Sequence, residues 1–88
     1  MNPRVVSVTP DDDFTLVLGF ANGETRVFDC KPYLHEGVFR ELADIGYFRR
    51  VTVMFGSVAW PHEQDFCPDT LYLESVAMPK SGSDTKAG

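Results

Sequence analysis

The segment Trp60–Thr70, WPHEQDFCPDT, gathers the reactive side chains of this chain: His62, Glu63, Asp65, Cys67 and Asp69. His62, Asp65 and Cys67 form a partial zinc set, because imidazole, carboxylate and thiolate are the donors zinc selects. A closed site needs a fourth ligand. Outside the segment only Cys30 and His35 supply nitrogen or sulfur, and neither stands at ligand spacing. Cys67 ahead of a helix start, with His62 as its base, has the residue types of a thiol nucleophile, but no oxyanion-hole or substrate signature accompanies it. His62 with Glu63 and Asp65 is an acid–base group, although an exposed loop supplies little of the desolvation such catalysis needs.

A structural reading accounts for the same residues. Pro61 keeps Trp60 extended and ends a strand. With Cys67 as N-cap, Pro68 falls at the first helical position, where its missing N–H is no loss. Phe66 then faces Leu71 as a hydrophobic staple, and Asp69 sits at the favourable positive end of the helix. Trp60 reads as a core or interface anchor ahead of a stacking platform. Trp60, Pro61, Asp65, Phe66, Pro68, Asp69, Leu71 and Tyr72 are therefore expected in structural or interaction roles. No catalytic residue and no cofactor is expected; for a metal, only His62, Asp65 and Cys67 stand as weak candidates.

The elements that must position this segment follow from periodicity and turn residues. Arg4–Thr9 is a β-branched strand closed by Pro10 and the turn Asp11–Asp13, a solvated acidic run without the spaced ligands of a calcium loop. Phe14–Phe20 and Thr25–Asp29 form a hairpin around Asn22-Gly23. A two-residue turn sets Leu18 opposite Val27; a three-residue turn with Gly23 in a bulge sets Leu18 opposite Arg26 and Leu16 opposite Phe28. Either register puts Leu16, Leu18 and Phe20 in the core. Pro32–Leu34 makes one helical turn, and Val38–Ala43 a short helix with Phe39 and Leu42 on one side and Gly46 as its stop. Arg50–Phe55 and Val58–Trp60 form a second hairpin, and a helix runs from Pro68 to about Val76. Alternation of Leu71 and Leu73 also permits a sixth strand there. The expected fold is a two-layer α+β domain over 1–78: about five mainly antiparallel strands in two hairpins, a short helix between strands three and four, and a C-terminal helix.

Apart from Pro79, residues 79–88 hold no apolar side chain larger than alanine, and they are expected to be a disordered tail. Of the 88 residues, about 78 remain for a core of marginal size, which favours a partner or a homodimer. The net charge of −5 opposes nucleic-acid binding unless Arg4, Arg26, Arg40, Arg49 and Arg50 converge. Consecutive strand residues point apart, so Arg49 and Arg50 read as solvated charges. Two distant cysteines without CxxC spacing, and no apolar leader, indicate a reduced cytoplasmic setting. No apolar run is long enough to cross a membrane.

The order and spacing of Thr15–Asp29, Gly37-Val38-Phe39 with Leu42, Phe48–Val51, Val58–Pro61 and Asp65–Tyr72 resembles the bacterial domain-of-unknown-function family 2442, over residues 4–75. The resemblance implies a small α+β domain with no assigned activity or catalytic residues. Some members carry a helix-turn-helix, absent here, and some are encoded beside another small protein in toxin–antitoxin-like pairs. Members commonly carry Asn-Gly after the Trp-Pro, where this chain has His62-Glu63-Gln64. The expected function is a non-catalytic protein-interaction or regulatory module, accessory or antitoxin-like. A metal or small-ligand site in the 62–67 loop is the alternative, and a thiol enzyme using Cys67 ranks third.

Overall fold

The computed structural model describes residues 2–78; the tail expected at 79–88 lies outside the described residues. Strands β1 (Val5–Pro10), β2 (Thr15–Phe20), β3 (Thr25–Asp29), β4 (Thr52–Met54), β5 (Ser57–Ala59) and β6 (Val76–Ala77) are joined by helices α1 (Ile45–Phe48) and α2 (Pro68–Glu74), with 3-10 turns at Lys31–Tyr33 and Gly37–Ala43. The fold is α+β with antiparallel strands, as expected. In detail the strands divide into two sheets, a four-stranded one in the order β1-β2-β3-β6 and the β4–β5 hairpin. The hairpin's turn is tied to the large sheet by Val5 N–H donating to the Gly56 carbonyl at 2.9 Å.

Register in the first hairpin follows the three-residue turn: Leu16 faces Phe28 and Leu18 faces Arg26. Gly23, at φ +91°, supplies the left-handed conformation that this turn requires. Leu16, Leu18, Phe20 and Phe28 share the inner face and are buried against Leu42, Phe48, Val58, Trp60, Phe66 and Leu71. These come from the second layer, which comprises the small hairpin, the 3-10 turns and the two helices.

Three boundaries differ from expectation. The second hairpin is narrower than Arg50–Phe55 and Val58–Trp60: its strands are Thr52–Met54 and Ser57–Ala59, and Phe55, expected in the strand, stands in the turn with Gly56. Gly46 does not stop the helix before it; it lies inside α1, where Asp44 caps the new start by accepting from Gly46 N–H at 3.0 Å. The preceding segment is a 3-10 helix, whose three-residue turn keeps Phe39 and Leu42 in line. At the C-terminus α2 ends at Glu74, short of Val76. Ser75 turns extended and its hydroxyl donates to the Tyr72 carbonyl at 3.0 Å. A sixth strand does exist, but at Val76–Ala77 beside β3, with Leu71 and Leu73 in the helix.

Arg26 holds this last strand. Opposite Leu18 it points inward, where Nε donates to Ser75 Oγ at 2.7 Å and Nη2 to the Ser75 carbonyl at 2.6 Å. Its guanidinium lies 4.5 Å from the Tyr72 ring centre and pairs with Glu24 at 3.1 Å. Charged donors in part-buried hydrogen bonds contribute about 1.5–3 kcal/mol. Arg26→Ala is therefore expected to destabilise the domain by about 1–3 kcal/mol and to release the amides of Val76 and Met78, the two that face β3, first in hydrogen exchange. Unchanged protection at those amides would show that β6 pairs without the guanidinium.

Candidate functional site

The loop after β5 is a polar clamp. Trp60 is 3% exposed, and its indole N–H donates to the Phe48 carbonyl at 2.9 Å. Its backbone closes the turn: Trp60 N–H donates to the Gln64 carbonyl and Glu63 N–H to the Trp60 carbonyl, both at 2.9 Å, with Glu63 at φ +74°. Gln64, 3% exposed, is the centre. It accepts from the Tyr47 hydroxyl at 2.6 Å and donates to the Val38 carbonyl at 3.0 Å and to Glu41 Oε1 at 2.7 Å. His62 N–H donates to the Tyr47 oxygen at 2.9 Å, and its Nδ1 lies 3.0 and 2.8 Å from the two Glu41 oxygens. The carboxyl of Glu41 is held below its ordinary range by His62 first and Gln64 second.

The imidazole thus faces Glu41. Among the described residues no three His, Cys, Asp or Glu side chains converge to hold a metal ion, so the candidate set His62, Asp65 and Cys67 is not assembled. Asp65 is exposed and its backbone bridges Ala59. Cys67 is exposed and caps α2 through its extended backbone without a side-chain bond, while Leu71 N–H reaches its carbonyl at 3.1 Å. Cys30 is buried, and that burial pushes its thiol up to about 12. His35 is exposed. In the β1–β2 turn Asp13 accepts from the Thr15 hydroxyl at 2.6 Å and Asp12 pairs with Arg49.

The remaining residues singled out by the sequence make packing contacts and hydrogen bonds within the fold. Phe66 stacks on Phe39 with ring centres 4.8 Å apart and meets Phe28, Tyr33 and Trp60 edge-on. Phe66 and Leu71 are buried in one cluster, the two ends of the staple. Pro68 occupies the first turn of α2, Asp69 accepts from the Asn2 side chain at 3.0 Å, and Tyr72 meets Phe20 edge-on and donates to Glu24 at 2.9 Å.

The small hairpin was expected from the sequence, but not as a functional surface. Its turn residue Phe55 is 92% exposed and adopts φ +52°, with Gly56 at +77°. Thr52, Val53 and Met54 are all exposed, while every residue of β5 is buried. Grooves flank the hairpin on both sides. One of about 430 Å³ is lined by Arg50, Met54, Trp60, Pro61 and Asp65, and another of about 340 Å³ by Phe55, Phe66, Cys67 and Pro68. A second apolar group, Leu73, Val76 and Met78, is exposed at the β6 edge. The available signal was an aromatic residue preceding Gly56 in a tight turn, a place that favours asparagine or aspartate.

A family model described as "Protein of unknown function (DUF2442)" matches residues 5–77. No curated protein and no solved structure matches the chain.

Two measurements test the clamp and the thiols. A carboxyl lowered by folding contributes stability that is complete above its unfolded pKa and lost as pH falls through the folded one. Urea unfolding between about pH 6 and about pH 3 is expected to show a steeper acid loss in the wild type than in Glu41→Gln; parallel profiles would show that the clamp does not favour the ionised carboxylate. Alkylation of the native chain is expected at Cys67 alone, with Cys30 reacting only on unfolding, and equal rates would contradict the burial of Cys30.

Proposed function

The chain belongs to the DUF2442 family of proteins of unknown function, and on its exposed hairpin we propose that it is a non-catalytic protein-interaction module. The observation that carries this reading is Phe55. A bulky residue at positive φ is strained by about 1–3 kcal/mol, and an almost fully exposed aromatic ring gains nothing from the fold in return. A small domain retains such a residue where a partner covers it, because aromatic anchors dominate binding energy at interfaces. The polar loop supports the same reading: its His62 and Gln64 are satisfied by Glu41 and Tyr47, and among the described residues no hydrogen bond joins the Cys67 thiol to a base. A small protein partner, in an accessory or antitoxin-like pairing, is the form this takes. The cytoplasm is its setting, which two unpaired cysteines fit. Among the described residues no helix is long and apolar enough to cross a membrane.

Phe55→Asn separates fold from function. Asparagine before Gly56 suits the left-handed turn, so the variant is expected to be more stable by about 0.5–1.5 kcal/mol, several degrees in Tm. It is also expected to lose the complex that co-expression with the neighbouring gene product yields for the wild type. A variant that keeps the complex, or a wild type that forms none, would remove the basis of the proposal.

A further inference from the structure

The interaction surface also specifies what its partner presents. Phe55-Gly56 is a two-residue turn between the facing residues Met54 and Ser57. In such a hairpin the flanking pair exchanges both backbone hydrogen bonds, so the next pair, Val53 and Val58, is the non-bonded one. The N–H and C=O of Val53 therefore point away from β5, and among the described residues no other strand pairs with β4, although β1 runs close to it. Open edges are usually kept short or blunted by lysine, proline or inward charge; β4 is short, three residues, but Thr52-Val53-Met54 carries none of these residues.

Charge selects the occupant. The chain carries a net −5, yet residues 45–62 contain Arg49 and Arg50 and no carboxylate. Arg49 is engaged by Asp12. Arg50 and Arg4 make no ion pair among the described residues, and Arg4 packs at the hairpin tip, where a Cβ on Gly56 would meet its side chain at 3.1 Å. An arginine thus stands at each end of the edge. The backbone of Asp65 lies beyond β5, where it bridges Ala59, two strand spacings or about 10 Å from the open side, although Asp65 and Glu63 line the groove on the hairpin's face together with Arg50.

A second copy fits poorly. Antiparallel pairing of two β4 edges about Val53 would set Arg50 of each chain opposite Gly56 of the other, and so beside its Arg4, twice over. Like charges at both ends oppose such a dimer. Resting on the interaction-module reading, we propose that the free edge of β4 takes up an extended segment of a partner protein as an added strand, apolar along its length and acidic at both ends, with its carboxylates over Arg50 and Arg4.

Isotope-labelled full chain titrated with synthetic peptides of about seven residues tests this: alternating valine and threonine, capped at both ends by glutamate in one series and by lysine in the other. The glutamate series is expected to shift the amides of Thr52, Val53 and Met54, and to weaken as salt rises. Arg4→Glu with Arg50→Glu should weaken it at least about tenfold and favour the lysine series instead. Val53→Pro, which removes only the outward N–H, should abolish the shifts; if it unfolds the hairpin, the arginine pair decides alone. Equal binding of both series, shifts confined to Leu73–Met78, or no shift of β4 amides at about 1 mM peptide overturns the proposal. So does a dimer whose intermolecular contacts join two β4 edges. Each of these leaves the interaction-module reading standing, since that fails only if Phe55→Asn leaves the partner complex intact or none forms.

Discussion

Phe66 is the side chain on which the two layers depend. Its ring packs on aromatic partners from the large sheet, from the connection after it and from the end of the small hairpin: Phe28, Tyr33, Phe39 and Trp60. Aromatic pairs of this kind add about 0.5–1.5 kcal/mol each beyond the area they bury, a large share of the few kcal/mol by which a small domain is stable. The polar loop ends at Phe66 and the C-terminal helix begins just after it. A buried ring at this point fixes where the loop must stop and so how few residues it has to close its turn.

That constraint explains the chemistry of the loop better than reactivity does. Trp60 and Phe66 are both buried, so the backbone between them must turn within five residues, and it does so through reciprocal bonds between Trp60, Glu63 and Gln64. A turn packed this tightly against the 3-10 segment carries Gln64 inward, where an amide needs partners on both its oxygen and its nitrogen. Tyr47, Val38 and Glu41 provide them. With Glu41 drawn in by the amide, the imidazole of His62 finds its carboxylate there, and the thiol of Cys67 is left on the surface without a base.

Much of this was legible in the sequence, and the missing parts have physical causes. Strand and hairpin positions followed from alternation at Leu16, Leu18 and Phe20, and the helix start from Pro68 and Leu71, because these signals are local. The inward turn of Gln64 and Arg26 was not, since each is decided by register and by partners far along the chain: Arg26 is satisfied by Ser75. Apolar content at Leu73, Val76 and Met78 suggested one continuous helix, but Ser75 bonds back to Tyr72 and hands the chain to the edge of β3. Division of the strands into two sheets was equally invisible, because pairing partners leave no mark on short β-branched runs such as Val51–Met54.

The small hairpin then shows how a domain of this size divides its surface. Its buried strand, β5, supplies Val58 to the core, leaving β4 as the outer strand with its backbone half paired. A domain with a larger core would cover such an edge with a helix or loop, but the helices among the described residues are short and are already committed: α1 packs Phe48 beneath Trp60, and α2 packs Leu71 beneath the large sheet. The turn cannot retreat either, since Val5 holds Gly56 by its carbonyl and Arg4 fills the space against it. Phe55 is thereby presented outward on a fixed backbone. An aromatic ring on a pinned turn loses less conformational freedom on binding than one on a free loop, so the tie between Gly56 and β1 makes this turn a rigid surface.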